Sequence, residues 1–166
     1  SGENPRGAGE VTGRGRRMTG SDEDDPRKVP LAAYPYRFKI PTRFGDNDML
    51  GHANNVAYSR YIETVVSYFQ ICEAGVDWAA DRIAPVAVEA LCRFHRSLSF
   101  PEVVHAGLRV GRIGNSSITF QIGLFGESDP EVPAATGHFI QAFSDRAAAK
   151  SVAIPADKRA VYERFL

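Results

Sequence analysis

One long amphipathic segment limits what this chain can fold into more than any other part of its sequence. It reads NVAYSRYIETVVSYFQICEAG, and its apolar side chains recur at spacings of three to four, at Val56, Tyr61, Ile62, Val65, Val66, Phe69 and Cys72. This period predicts an α-helix with one broad apolar face. Asn54 or Asn55 can cap its start, and Gly75 can end it in a left-handed C′ conformation. Such a face needs a large apolar surface to pack against.

The surface that the helix needs is predicted to come from strands. Residues 34–44 alternate in polarity before the helix, and four more alternating segments follow it, at 84–100, 103–113, 116–126 and 133–144. One face of the second segment would carry Val86, Val88, Ala90, Cys92 and Phe94. Short turn-forming links between consecutive segments predict an antiparallel sheet. With a short C-terminal helix after Pro155, this order predicts a two-layer α+β domain.

Residues 1–29 differ from the rest of the chain in composition. They hold six glycines and almost no large apolar side chains. Such a segment cannot bury enough surface to offset the entropy lost on ordering it. We therefore predict a disordered N-terminal tail at 1–29 and a single domain at 30–166.

The charge balance and the cysteines bound the class of protein. Twenty basic side chains match twenty acidic ones, so no overall field favours nucleic acid or a membrane surface. No apolar run approaches the ~20 residues of a membrane span. Cys72 and Cys92 form no CxxC pair, and we predict two buried thiols in a reducing compartment, which favours the cytoplasm. A disulfide between the two remains an alternative.

The segment GDNDMLGHANN, residues 45–55, concentrates polar side chains between the first strand and the helix. Three of its residues match a calcium loop, but Leu50 and Ala57 would stand at ligand positions and cannot coordinate through their side chains. A transition-metal site would need a second histidine or a cysteine nearby, and the neighbouring sequence has neither. The segment is therefore predicted to hold no metal.

The same segment suits the start of a helix. Asp48 and the asparagines can accept hydrogen bonds at the positive helix end, and Gly51 allows a tight turn. Free N–H groups at a helix start can also polarise a substrate carbonyl, and a carboxylate a few residues upstream can then act on its carbon. A capped helix start and a two-part acyl-transfer site use the same groups, so both interpretations stay open.

The longer stretch TRFGDNDMLGHANNVAYSRYIETV resembles the signature of hotdog-fold acyl-CoA thioesterases of the 4-hydroxybenzoyl-CoA thioesterase-like group. That signature reads R-[FY]-x-[DE]-x-D-x-x-G-H-x-N-N and continues into an aromatic-rich helix. The matching residues are Arg43, Phe44, Asp46, Asp48, Gly51, His52, Asn54, Asn55, Tyr58, Tyr61 and Glu63. The segments SFPEVVHAGLRV and IGNSSITFQI resemble later turns of the same family, so the resemblance spans about residues 36–145.

The resemblance implies a hotdog fold, in which one long central helix is wrapped by a five- to six-stranded antiparallel sheet. It also implies a homodimer with joined sheets and active sites at the protomer interface, and often a homotetramer. The implied substrate is an acyl-CoA or acyl-carrier-protein thioester, which is hydrolysed to the free acid and a thiol. Coenzyme A enters as part of the substrate, and no cofactor is implied.

Roles for individual residues follow from their places in the motif. The family's catalytic carboxylate falls on Asp48, which is expected either to attack the thioester carbon or to activate a water. The polarising backbone N–H falls near Asn55. His52 is expected to position the substrate or to hold the loop, and Asp46 to bond the turn or Arg43.

Residues that bind the substrate are expected beside the motif and at the mouth of the site. They are Gly51, Asn54, Tyr58 and Glu63 near the motif, and Arg112, Asn115, Ser116 and Ser117 in the predicted hairpin, with Arg93 and Arg96 as further cations for the phosphates of coenzyme A. For any single cation, an ordinary solvated strand charge is the stronger interpretation.

Two other functions fit a hotdog domain. An acyl-CoA hydratase or dehydratase of this fold uses Asp and His spaced D-x-x-x-x-H. Here three residues separate Asp48 from His52 and five separate Asp46 from His52, so the spacing fails in both registers. A non-catalytic acyl-binding protein is the second alternative, since a fold does not guarantee an activity.

Overall fold

The computed structural model describes residues 25–166, so most of the predicted tail lies outside the described residues. The last residues of that segment are described and form a short 3-10 turn, Pro26–Lys28, followed by a second one, Leu31–Ala33. The longer elements are β1 (Tyr36–Pro41), α1 (Asn55–Cys72), β2 (Ile83–Phe94), β3 (Val103–Ile113), β4 (Ser117–Phe125), β5 (Ala135–Asp145), β6 (Lys150–Ser151) and α2 (Ala156–Glu163).

The strands form one antiparallel sheet in the order β1-β3-β4-β5-β2, and the two-residue β6 pairs with β5. This arrangement confirms the predicted α+β fold with five to six strands around a long helix. The prediction for the second segment ran six residues too far, because β2 ends at Phe94. In the segment after β2, backbone N–H groups donate to side chains instead of to a neighbouring strand. Leu98 N–H donates to the Tyr58 hydroxyl, and Phe100 N–H donates to Asn47 Oδ1.

The apolar face of α1 packs on the inner face of this curved sheet. Ile62, Val65, Val66 and Phe69 are almost fully buried, as are the inward residues of β3 and β4. Two residues of the predicted face lie outside it, since Val56 and Cys72 are exposed. Val56 stands nine residues from Val65, which turns it about half a circle away from the core.

Both cysteines are free thiols, which excludes a disulfide between them. The prediction that both are buried is wrong for Cys72, which lies at the surface as the last residue of α1. Cys92 is part of β2 and is half-buried against the core, and burial raises the pKa of its thiol to about 11.

A β-bulge corrects the predicted face of the second segment. The register of β2 against β5 shifts between Ala87 and Glu89, so the strand does not keep one alternation throughout. Val86 and Val88 are therefore exposed instead of sharing the core face with Cys92.

The helix ends follow the predicted chemistry. Asn54 caps α1, and its Oδ1 accepts a hydrogen bond from Ala57 N–H at 3.0 Å. Gly75 has a left-handed φ of +63°, but it stands one position beyond C′, because the C-cap is Glu73. Within residues 25–166, no helix is both long enough and apolar enough to cross a membrane.

Candidate active site

The loop between β1 and α1 is folded tightly onto itself. It starts with a 3-10 turn, Phe44–Asp46, and an isolated bridge between Asn47 and Ala53 then closes the rest into a small ring. Inside that ring, Gly51 N–H donates to the carbonyl of Asp48 at 3.1 Å. Gly51 has φ +81°, a left-handed conformation that favours glycine. The loop therefore holds Asp48 at a fixed position next to the start of α1.

Asp48 is exposed on this loop, and half of its carboxylate is unused. Oδ1 accepts a hydrogen bond from Leu50 N–H at 2.8 Å, which fixes the side chain over its own turn. Oδ2 has no hydrogen-bond partner among residues 25–166. A carboxylate that is held by one oxygen and free at the other can approach a substrate.

The first turn of α1, which follows this loop in the chain, supplies free N–H donors. Ala57 N–H is taken by the Asn54 cap, whereas the N–H groups of Asn55 and Val56 have no acceptor in the described part of the chain. Both residues are exposed. Because the helix dipole makes this end positive, the two N–H groups suit an oxygen that gains negative charge.

Asp46 differs from Asp48, because it is buried and one of its carboxylate oxygens accepts two hydrogen bonds. Its Oδ2 accepts hydrogen bonds from the Tyr61 hydroxyl at 2.6 Å and from Arg43 N–H at 2.9 Å. Its backbone carbonyl accepts Asn54 N–H at 2.9 Å. Burial, and then the neighbouring carboxylate, raise the pKa of the Tyr61 phenol far above its usual value. Asp46 therefore bonds the turn, as expected, and ties the end of β1 to the start of α1.

The family of the chain follows from a comparison with known proteins. The thioesterase-like superfamily matches residues 42–164, which include this loop, α1 and the sheet that follows. The chain belongs to this superfamily. This membership confirms the resemblance seen in the sequence, and with it the thioester hydrolase class at the level of the family.

Solved structures agree with the superfamily assignment. The PA5185 protein of Pseudomonas aeruginosa strain PAO1 is 33% identical, with 82% of this chain and 94% of that chain covered and a TM-score of 0.77. A thioesterase from Thermus thermophilus, complexed with coenzyme A and Zn, is 23% identical, with coverage of 80% and 94% and a TM-score of 0.66. BH1999 gentisyl-coenzyme A thioesterase is 19% identical, with coverage of 76% and 99% and a TM-score of 0.67. The last two share the fold.

The predicted site residues around this thioesterase-family loop differ in their exposure to solvent. His52 is exposed, and its imidazole has no hydrogen-bond partner among residues 25–166; its backbone carbonyl accepts Asp48 N–H at 2.9 Å. Tyr58 is buried, and its hydroxyl bonds the backbone of Arg96 and Leu98, which holds the segment after β2. Gly51 and Asn54 lie on the loop itself, where they shape the turn and cap the helix.

The structure of one chain does not bring the predicted hairpin residues to Asp48. The loop follows Pro41, which pairs with Val103 at the start of β3, whereas the hairpin follows Ile113 at its end. Ten residues of strand separate these ends, about 33 Å. We call them the site end and the hairpin end of the sheet. The hairpin end carries the predicted residues Arg112, Asn115, Ser116 and Ser117.

The two other predicted cations have different environments. Arg96 is engaged, since it donates to the carbonyls of Asp129 and Val132 and pairs with the Asp129 carboxylate at 3.4 Å. The guanidinium of Arg93 has no hydrogen bond or ion pair among residues 25–166. Only Arg93 is therefore available to a ligand.

Sequence reasoning missed a groove of about 630 Å³ between β1 and α1. Glu63 lines it, together with Arg43, Arg60, Thr64, Ser67 and Tyr68, and Asp46 and Tyr61 also contact it. Phe38 and Tyr68 stack in its wall with ring centroids 4.2 Å apart. Its signal in the sequence was the polar face of α1, where Arg60, Thr64 and Ser67 recur at helical spacing. Asp48 does not line this groove.

No group of three or more histidine, cysteine, aspartate or glutamate side chains stands close enough to hold a metal ion in residues 25–166.

Proposed function

We propose that this protein hydrolyses acyl-CoA thioesters at the loop between β1 and α1. One observation carries the proposal: a carboxylate oxygen of Asp48, on the closed loop, and the N–H groups of Asn55 and Val56, at the start of the helix that follows it, are all unpaired within the described chain. Family membership supports the reaction class. The thioesterase from Thermus thermophilus that is similar in fold was solved with coenzyme A, which supports coenzyme A over an acyl carrier protein as the carrier.

The proposed reaction uses these groups in order. The thioester carbonyl oxygen accepts a hydrogen bond from Asn55 N–H, which stabilises the negative charge that develops there. Asp48 then attacks the carbonyl carbon, the C–S bond breaks, and the CoA thiolate takes up a proton. Water hydrolyses the resulting mixed anhydride and restores the carboxylate. In the other form of the mechanism, Asp48 takes a proton from a water that attacks the same carbon directly.

His52 has a place in this scheme beside the carboxylate. Its imidazole is exposed on the same loop and has no hydrogen-bond partner in the described part of the chain that a substrate would have to displace. We assign it to positioning the substrate, while its backbone carbonyl holds the turn.

A second copy of the chain would complete the site. β2 is an edge strand, and the exposed side chains of Val86, Val88 and Phe94 stand on it. An open apolar edge of this kind favours pairing with another strand. If two β2 strands pair antiparallel, the hairpin end of one sheet lies beside the site end of the other. The predicted donors of the hairpin would then reach the substrate from the second copy, and pairs of such dimers would form the tetramer.

The proposal is tested by the hydrolysis of a panel of acyl-CoAs of different lengths, with CoA release followed by a thiol reagent. Asp48→Asn is expected to lower kcat by about 10²–10⁴-fold, because either role of the carboxylate is lost. The control Asp157→Asn changes an exposed carboxylate on α2 and should leave kcat as it is. Thermal melting of both variants checks that the fold is intact.

The outcomes of this test separate the functions. No turnover of any acyl-CoA, or equal kcat in Asp48→Asn and the wild type, would show the thioesterase proposal to be wrong. Hydration of crotonyl-CoA without CoA release would identify the hydratase, and binding without either reaction would identify the acyl-binding protein. Light scattering on the same sample should give at least twice the 18.2 kDa of one chain. The cytoplasmic location stays a prediction.

A further inference from the structure

The face of the sheet that points away from α1, here called the outer face, carries a row of polar side chains. The register pairs Arg109 of β3 with Gln121 of β4, Gln121 with His138 of β5, and His138 with Leu91 of β2. Residues that stand opposite each other in antiparallel strands project to the same face. Arg93 follows Leu91 by two residues, so it projects to that face as well. Four strands therefore deliver two guanidinium groups and an imidazole to one place.

These side chains line a small pocket of about 130 Å³. Its wall is Tyr34, which lies flat over two glycines, Gly107 and Gly123, that face each other on β3 and β4. A Cβ on Gly107 would stand 2.5 Å from Cγ of Tyr34, so the ring can lie there only because the side chain is missing. Pro26 covers another part of the pocket. The pocket therefore depends on the chain before β1 folding back onto the sheet.

Tyr34 and Gln121 together hold one of the cations in place. The guanidinium of Arg109 lies 6.0 Å from the centre of the Tyr34 ring, within the range of a cation–π contact. Its Nε donates to Gln121 Oε1 at 2.7 Å. Neither partner carries a negative charge, so these contacts do not neutralise the positive charge of Arg109 at the pocket.

The pocket as a whole has more positive than negative charge. Arg93 also lines it, and its guanidinium has no ion pair or hydrogen bond among residues 25–166. The imidazole of His138 bonds the carboxylate of Glu89, so this acidic group is already paired. Two guanidinium groups are thus left without a counter-charge. Guanidinium groups bind phosphate with paired, charge-assisted hydrogen bonds, which makes an anion with several oxygens the matching ligand.

We propose that this outer-face pocket binds a phosphate group through Arg93 and Arg109. Its volume is well below the roughly 300–1,000 Å³ that enclose whole ligands, so it takes one group of a molecule and leaves the rest outside. The phosphate belongs either to the nucleotide end of acyl-CoA, in which case the inference rests on the proposed function, or to a separate phosphate-bearing ligand.

The pocket is close to the candidate active site but not part of it. Phe94 follows Arg93 on β2, and its ring contacts that of Tyr58 in the first turns of α1 with centroids 5.1 Å apart. Arg93 therefore lies near the site end of the sheet on its outer face, whereas Arg109 lies six residues along β3 from Val103, in the middle of the sheet. An extended ligand that is held at both sites would pass over the site end.

Binding is tested first by calorimetry, with inorganic phosphate and with adenosine 3′,5′-bisphosphate titrated into the full chain. Arg93→Gln and Arg109→Gln should each weaken binding at least about tenfold, because each removes charge-assisted hydrogen bonds. Lys150→Gln on β6 serves as the control, because this exposed cation pairs with Asp145, seven residues along β5 from His138 and about 23 Å away. Wild-type binding no tighter than that of Arg93→Gln would overturn the proposal.

Kinetics then identify the source of the phosphate. If acyl-CoA supplies it, Arg93→Gln raises the ratio of the KM for acyl-CoA to the KM for the matching acyl-pantetheine, which lacks the nucleotide. If a separate ligand supplies it, that ratio stays constant while the loss of calorimetric binding remains. Both results support the phosphate site. Arg93-dependent binding in a protein that hydrolyses no thioester would contradict only the proposed function, so the two failures can be told apart.

Discussion

The hydrogen bond between Tyr61 and Asp46 is a strong test of how the site loop is held. The phenol donates to Asp46 Oδ2 at 2.6 Å, and the two side chains are only 4% and 5% exposed. Arg43 N–H is the second donor to the same oxygen. Tyr61→Phe keeps the ring and its packing but removes one of two donors from a buried carboxylate.

The expected loss follows from the charge on the acceptor. Hydrogen bonds to charged groups contribute about 1.5–3 kcal/mol, so we expect Tyr61→Phe to lower the free energy of unfolding by about 2 kcal/mol. In a chain of this size that corresponds to a fall in Tm of about 4–8 °C. Burial raises the pKa of Tyr61 in the folded state, so wild-type stability is lost above about pH 10, where the unfolded phenol ionises. The variant should lack that part of the loss.

Urea unfolding, followed by the fluorescence of the single tryptophan Trp78, measures this difference. The matched control is Tyr68→Phe on the same helix, because Tyr68 is 47% exposed and its hydroxyl has no partner within residues 25–166. We expect that control to stay within about 0.5 kcal/mol of the wild type. If Tyr61→Phe does the same, the reasoning that Asp46 depends on this donor is refuted.

Two further predictions concern packing and thiol chemistry. Gly107→Ala should lower the free energy of unfolding by about 1–3 kcal/mol, because its Cβ would overlap the Tyr34 ring. The control is Gly45→Ala, whose Cβ would meet no atom within 4 Å and should change stability little. Equal melting temperatures of these two variants would contradict this prediction. At pH 8 a disulfide reagent should modify exposed Cys72 first, since a thiol of pKa about 11, as in Cys92, is only about one part in a thousand thiolate. The fast phase should vanish in Cys72→Ser, and its loss in Cys92→Ser instead would count against the assignment.

Much of the fold could be predicted because its signals are local. The helix period, the alternation of β3 and β4 and the cap at Asn54 each depend on residues a few positions apart, and the structure confirms them. The bulge between Ala87 and Glu89 could not be read in the same way. It is a mismatch in length between β2 and β5, two strands about fifty residues apart in the chain, and no pattern within β2 records it.

The candidate site likewise contains features that could be predicted from local sequence and features that could not. Asp48 and Asn55 could be named from the motif, since only six residues separate them in the chain. Two hydrogen bonds could not be predicted in this way, because each joins different elements of the fold. They are the bond from Tyr61 to Asp46 and the bond between Tyr58 and the segment after β2. The distance from this loop to Arg112 is likewise a property of the sheet, set by the length of β3.

The sequence by itself determined the family, the order of the elements and the loop that carries Asp48, because each of these depends on residues that are neighbours along the chain. The tertiary structure alone decided which polar groups remain free. It bonds Asp46 to Tyr61 and Arg96 to Val132, and it leaves one oxygen of Asp48 and the guanidinium of Arg93 without a partner among residues 25–166. It also places Tyr34 against the glycines of the outer face. The reason is physical: a hydrogen bond or a close contact needs two groups within a few ångströms, and folding brings those groups together from distant parts of the chain.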